Sequence, residues 1–182
     1  MIKDSKGYIW SGGYYNLKCI DPIKNSVRLY PGVSTVTAIE EKDTHFIWVG
    51  TATGLFLLDR NSGEYEYILM PVESTYINTL YQANDGLLYI GTNGSGVLIY
   101  NPKNRTFEHY FAENSALVSN SIYTILPEMD GQIMMSTENG ITSFSVEKRS
   151  FHNWSREQGM MSACFNAVSY THLRAHETEL HL

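Results

Sequence analysis

A short apolar run with a large residue at its centre occurs four times at a spacing near forty residues, and no other feature restricts the fold of this chain as tightly. The copies are Tyr8-Ile-Trp-Ser-Gly12, Phe46-Ile-Trp-Val-Gly-Thr51, Leu87-Leu-Tyr-Ile-Gly-Thr92 and Gln132-Ile-Met-Met-Ser-Thr137. With Trp10, Trp48, Tyr89 and Met134 as anchors, the spacings are 38, 41 and 45 residues. The surroundings recur as well. A polar turn precedes each anchor, at residues 4–7, 42–44, 84–86 and 129–131, and Asp85-Gly86 suits a two-residue hairpin because both residues tolerate positive φ. Asp4, Asp85 and Asp130 read as one turn position in successive copies. Beyond each anchor a second glycine opens another strand, at Gly54, Gly96 and Gly140, with Gly13 a looser counterpart.

A further turn follows at Asp21-Pro22, Asp59-Arg60 and Asn101-Pro102, and then a strand of alternating character at residues 27–30, 65–68, 107–110 and 151–154. Before each turn an apolar strand is expected at 36–39, 77–80 and 122–126. Four strands per unit at this period predict an all-β chain, a partial β-propeller of about four four-stranded antiparallel blades in an open arc. The middle strands are apolar on both faces, as packing between two neighbouring blades requires, and the last strand is half polar, as an outer edge requires. The units divide as 1–30, a partial blade lacking its inner strand, then blades at 36–68, 77–110 and 122–154, and the start of another at 155–167. Trp10 and Trp48 are expected to pack the blades. Gly50-Thr51 and Gly91-Thr92 read as the sharp end of a strand, where glycine lets the backbone turn. An open arc leaves apolar faces uncovered, so residues 1–167 alone are expected to associate or to bind a hydrophobic dye.

Composition narrows the function. Hydrophobic residues make up 43% and aromatic residues 13%, with thirteen tyrosines, which fits many short strands around a core. A formal charge of -6 without a basic run argues against nucleic acid or an anionic membrane surface. Cys19 and Cys164 make no disulfide framework and no paired metal motif. The longest apolar runs fall short of the roughly 20 residues that span a bilayer. No signal peptide precedes residue 4, so Met1 reads as internal to a longer gene.

The pattern Asp-x-x-Gly-x-Ile-Trp-x-Gly-Thr, followed by x-x-Gly-Leu, Asp-Pro and Phe-x-x-Tyr, resembles the two-component regulator propeller repeat. It stands at residues 4–10, at 47–55 with Asp59, and at 85–97 with Asn101-Pro102 and 107–110. Gln158-Gly-Met-Met-Ser-Ala-Cys-Phe-Asn166 resembles a stretch late in the second propeller of hybrid two-component sensors, with Met160, Ala163 and Cys164 departing from it. The resemblance implies a periplasmic sensor of oligosaccharides or other small ligands. In the parent protein it implies a homodimer, joined through a membrane helix to a kinase beyond this chain. It implies no enzyme and no cofactor; a scaffold for protein interaction is the alternative.

Residues 168–178 instead resemble the translation of a transposase-type sequencing adapter, so 168–182 read as an artefact. The rival reading is a metal site, since His172 and His176 are four residues apart with Glu177 and His181 nearby; the expectation is no metal. Gly94-Ser-Gly96 lacks the spacing of a nucleophile elbow or a dinucleotide loop. Ligands of propellers gather at one mouth, formed by the connections into each inner strand and those between second and third strands. On those connections Tyr14, Tyr76, Asn93 and Asn120 are the candidates, since tyrosine stacks on a sugar ring and asparagine bonds its hydroxyls.

Overall fold

The computed structural model describes residues 1–127 and 130–154, so the segments at 155–167 and 168–182, with their histidines and Cys164, lie outside the described residues. The described residues form sixteen strands: β1 (Ile2–Lys3), β2 (Ile9–Ser11), β3 (Leu17–Asp21), β4 (Ser26–Tyr30), β5 (Val36–Glu41), β6 (Phe46–Thr51), β7 (Gly54–Asp59), β8 (Tyr65–Ile68), β9 (Ile77–Gln82), β10 (Leu88–Thr92), β11 (Val97–Asn101), β12 (Thr106–Tyr110), β13 (Ile122–Pro127), β14 (Gln132–Thr137), β15 (Gly140–Ser145) and β16 (Ser150–Trp154). They make four four-stranded antiparallel sheets, each a meander in chain order. This is an unclosed arc of propeller blades. The first sheet corrects one expectation: Ile2–Lys3 supply an inner strand of two residues, pairing Ile2 with Trp10 and Lys3 with Ile9.

The double-sided apolar pattern has a direct cause. Along β6, Trp48 packs with Ile77, Leu80, Leu88, Ile90 and Leu98 of the third sheet, while its neighbours Ile47 and Val49 pack with Trp10 and Leu17 of the first. Side chains alternate across a strand, so one run of apolar residues serves both neighbours. Trp10 likewise meets the second sheet, and Tyr89 the fourth through Ile125, Ile133 and Phe144. All three anchors occupy one register, opposite Cys19, Leu57 and Ile99, and are at most 1% exposed. Met134 sits at the same register opposite Ser143 but is only half-buried. Of the outer strands, β4 and β16 are largely exposed, and β8 and β12 are partly so. On the face of the first sheet away from the second, Ile9, Ile20 and Val27 form one row, and Val27 and Leu29 are more than half exposed.

Glycine does two different jobs here. Gly50 and Gly91 do not have positive φ, which corrects the turn reading. A Cβ on Gly50 would lie 2.7 Å from Ile77 Cγ2, and one on Gly91 2.9 Å from Ile122 Cγ2. The missing side chain lets the next inner strand seat a β-branched residue against the backbone. Gly54, Gly96 and Gly140 instead lie at φ 140, 75 and 132°, where they turn the chain into the third strand. Gly50→Ala is expected to cost about 2 kcal/mol through overpacking of the seam. Urea unfolding reads the loss, which should be smaller when the same change is made in an Ile77→Ala chain, since alanine lacks the Cγ2 that the new methyl meets.

Thr51, Thr92 and Thr137 close the same turn in three sheets. Each hydroxyl donates to the carbonyl of the following glycine, at 2.9, 2.8 and 3.0 Å. Each also accepts an amide, from Thr53, Ser95 and Asn139 at 3.1, 3.0 and 3.2 Å. All three are buried. Thr51→Val keeps the shape and removes both bonds, so a loss of about 1.5 kcal/mol is expected in chemical denaturation. The tight connection therefore falls between second and third strands, at Ala52-Thr53 and Glu138-Asn139, whereas the hairpins before the anchors are longer.

Those longer hairpins also correct the alignment of the acids. The amides of Asp4, Lys42 and Ala83 donate to the carbonyls of Tyr8, Phe46 and Leu87, so these three residues are equivalent and Asp85 stands two positions later. Asp85 caps its own turn, its Oδ1 accepting from the Leu87 amide at 2.9 Å, with Gly86 beside it at φ 90°. Asp4 also caps its own turn, its Oδ1 accepting the Lys6 and Tyr8 amides at 2.9 Å each, and it has a second role. It is buried, accepts the Trp10 indole N–H at 2.7 Å and is paired with Arg60 of the second sheet, which also reaches Glu41 at 3.4 Å.

Candidate functional site

The connections expected to form a mouth do meet at one end of the sheets. Bulges at Thr37, Asn78 and Tyr123 interrupt the inner strands near that end. The Thr37 hydroxyl donates to the carbonyl of Ile77, and Asn78 Nδ2 donates to that of Ile122 at 3.0 Å, so β5 is tied to β9 and β9 to β13. Backbone bonds then sew the rim. Val36 and Thr35 amides donate to Gly13 and Tyr14 carbonyls at 3.0 and 3.1 Å, and Ala52 donates to Thr35 at 3.2 Å. The Asn93 amide donates to the Tyr76 carbonyl at 2.9 Å; Gly94 and Gly96 donate to Asn120 at 3.0 and 2.8 Å; Glu138 donates to Ser121 at 3.3 Å.

Three of the four candidates share one stretch of this rim. Tyr76 and Asn93 are joined by their backbones, and Asn93 forms an isolated bridge with Ser121, next to Asn120. Tyr76 is 37% exposed. Asn93 is exposed, with Oδ1 3.4 Å from the Ser121 hydroxyl. Asn120 spends its side chain on its own loop: Oδ1 accepts the Ala112 amide at 2.8 Å and Nδ2 donates to Glu113 Oε2 at 3.3 Å. It shapes the rim and offers a ligand little. Tyr14 stands on the stretch bonded to Thr35, 78% exposed, beside Tyr15 at 86%. Together with Gly13 and Asn16 they border a cleft of about 310 Å³.

A second cleft, of about 300 Å³, lies between Val72 and Glu73 on one side and Ser95, Phe111 and Asn120 on the other. His109 lines it from β12, its Nε2 2.7 Å from the Ser95 carbonyl and its ring 4.8 Å from that of Phe111. Sequence reasoning passed over His109 because it lies on an outer strand, while Phe111 opens a connection expected at the mouth and was not singled out. The signal available was their spacing: residues two apart on a strand share a face. The rim thus offers exposed phenol rings, amide groups and backbone polar atoms, chemistry suited to a neutral ligand rich in hydroxyls. Among the described residues no group of three or more His, Cys, Asp or Glu could hold a metal ion, and no helix is long and apolar enough to cross a membrane.

Residues 71–94 match the family described as two component regulator propeller. Among solved structures, the chain is similar to the extracellular domain described for the hybrid two component system BT3049 of B. thetaiotaomicron. Identity is 16% and TM-score 0.72, over 85% of this chain and 24% of that one. It is similar to the extracellular domain of BT4673 from the same organism, at 22% identity and TM-score 0.70, over 84% and 21%. Virginiamycin B lyase from Staphylococcus aureus shares the fold at 12% identity and TM-score 0.69, over 85% and 54%. The chain therefore spans about a quarter of the two extracellular domains and about half of the lyase. No curated protein sequence matches it.

Proposed function

Starting from a chain that carries the two-component regulator propeller repeat at residues 71–94 within an unclosed propeller arc, we propose that it is part of the ligand-sensing propeller of a hybrid two-component regulator. The observation that carries this reading is where the repeat falls. It covers the connection into β9, all of β9 and β10, and the turn at Asn93-Gly94. It thus contains Tyr76 and Asn93, two of the three candidates whose side chains remain available at the rim. The ligand class is oligosaccharide, met by exposed tyrosine rings and amides. The site is periplasmic in the parent protein, the output is a kinase beyond this chain, and a homodimer carries the signal across the membrane.

The role is binding and not turnover. Likeness to the lyase is one of fold, and function resides in the site grafted on a fold. Recovery of the complete reading frame tests the proposal. A membrane helix followed by a histidine kinase supports sensing; a frame lacking both overturns it and favours an interaction scaffold. In the intact receptor, Tyr76→Ala and Asn93→Ala should each weaken oligosaccharide binding at least fivefold, and unchanged affinity in both removes this rim as the site.

A further inference from the structure

Several residues that depart from the repeat converge on one seam, away from the mouth. Across the second, third and fourth strands, the second sheet has the row Trp48, Leu57, Glu66 and the third has Tyr89, Ile99, Glu108. The first sheet has Trp10, Cys19, Arg28 in that row. Three positions after Leu57 comes Arg60, where the third and fourth sheets carry Pro102 and Val146. In the two later seams the row is closed. Leu57 and Ile99 fill the space beside the anchors, and the glutamates are paired across the seam: Arg105 reaches Glu66 at 2.7 Å and Arg149 reaches Glu108 at 3.1 Å.

The first seam reverses this arrangement. The row glutamate is Arg28, and the turn position that holds Arg105 and Arg149 holds Gly63. Arg28 therefore donates to the carbonyls of Arg60 and Asn61, at 2.9 and 3.0 Å, and has no carboxylate partner across the seam. Cys19 is smaller than Leu57 or Ile99. Above it opens a cavity of about 290 Å³, bordered by Lys6, Trp10, Cys19, Lys24, Arg28 and Arg60.

The electrostatics of the cavity are unusual for a chain of charge -6. Four cations line it against one carboxylate, Asp21, which lies 4.0 Å from Lys24. Asp4 and Glu41 engage Nη2 of Arg60, and Nη1 donates to the Thr44 carbonyl at 3.1 Å, as does Lys6 Nζ at 2.9 Å. Arg60 Nε–H has no partner although the residue is only 7% exposed. A buried donor left unmatched beside a cavity is a place for an acceptor. Burial pushes the Cys19 thiol above its ordinary range, so it stays uncharged and adds no repulsion.

We propose that this seam cavity binds a small oxyanion, a carboxylate or a phosphate group on a molecule no larger than a monosaccharide, held by Arg28 with Arg60 and the two lysines. The size limit follows from the volume, which sits near the roughly 300 Å³ lower bound of ligand pockets. Both walls are present in the described residues, and the site is independent of the sensing role at the mouth.

Calorimetric titration of the full chain at low ionic strength tests it, with sodium galacturonate, inorganic phosphate and, as the neutral match of the sugar acid, galactose. One-site binding of galacturonate or phosphate with no heat from galactose is expected; which anion binds tells a sugar carboxylate from a phosphate source. Arg28→Ala, at an exposed side chain, should weaken the binding at least tenfold. Cys19→Leu restores the residue type of the other seams, and should abolish the binding while leaving the thermal midpoint unlowered. Absence of binding by both anions, equal binding of galactose, or unchanged affinity in both variants overturns the assignment.

Discussion

Replacing Trp48 by alanine is expected to lower the unfolding free energy by about 4 kcal/mol, the range found for deleting a large buried aromatic. The indole is 1% exposed and sits in the seam between the second and third sheets, where it meets Leu80, Leu98 and the edge of Tyr100 at a ring distance of 5.9 Å. Its N–H donates to Gln82 Oε1 at 2.7 Å, so truncation also strips a partner from the third sheet. Because stacked blades are stabilised through nearest neighbours, the damage should separate the arc into two halves and broaden the transition. Equilibrium denaturation followed by hydrogen exchange measures both. A loss under 2 kcal/mol with an unbroadened transition would mean that the seams are not the cooperative joints of this molecule.

Asp4→Ala should cost about 3 kcal/mol, because it leaves Arg60 buried without its closest carboxylate, Trp10 without its acceptor and the Lys6 and Tyr8 amides without their cap. Asp4 and Arg60 have side chains 0% and 7% exposed, and the pair joins the first sheet to the second. Removing one charge exposes the desolvation penalty of the other, whereas removing both does not. The double variant Asp4→Ala with Arg60→Val, which installs the residue type found at Val146, should therefore regain at least half of the loss. Equal stability of single and double variants would sink the argument that the charge, rather than the packing, is at stake.

The repeat was legible because its cause is local. A middle strand clamped between two sheets must be apolar on both faces, and a tight turn demands glycine and a hydroxyl. Those requirements print themselves as Ile-Trp-Val-Gly-Thr and its relatives at a steady period. The rim was partly legible for the same reason, since its connections fall at fixed places in each unit. Asn120 and Asn93 look alike in sequence and differ in use, because the partners of Asn120, Ala112 and Glu113, depend on how one long connection folds back on itself.

What the chain's own order of residues determined is the unit: four strands, the anchor, the paired turns and their direction. What only the tertiary structure decided is how departures from that unit combine. Gly50 and Gly91 looked like turn residues, and only the approach of Ile77 and Ile122 shows why they carry no side chain. Asp4 is the turn acid it looked like, and only Arg60, from the next sheet, makes it a buried ion pair as well. Strand periodicity is enforced residue by residue along the backbone, but a seam joins side chains some forty positions apart, and no local pattern records which of them will meet.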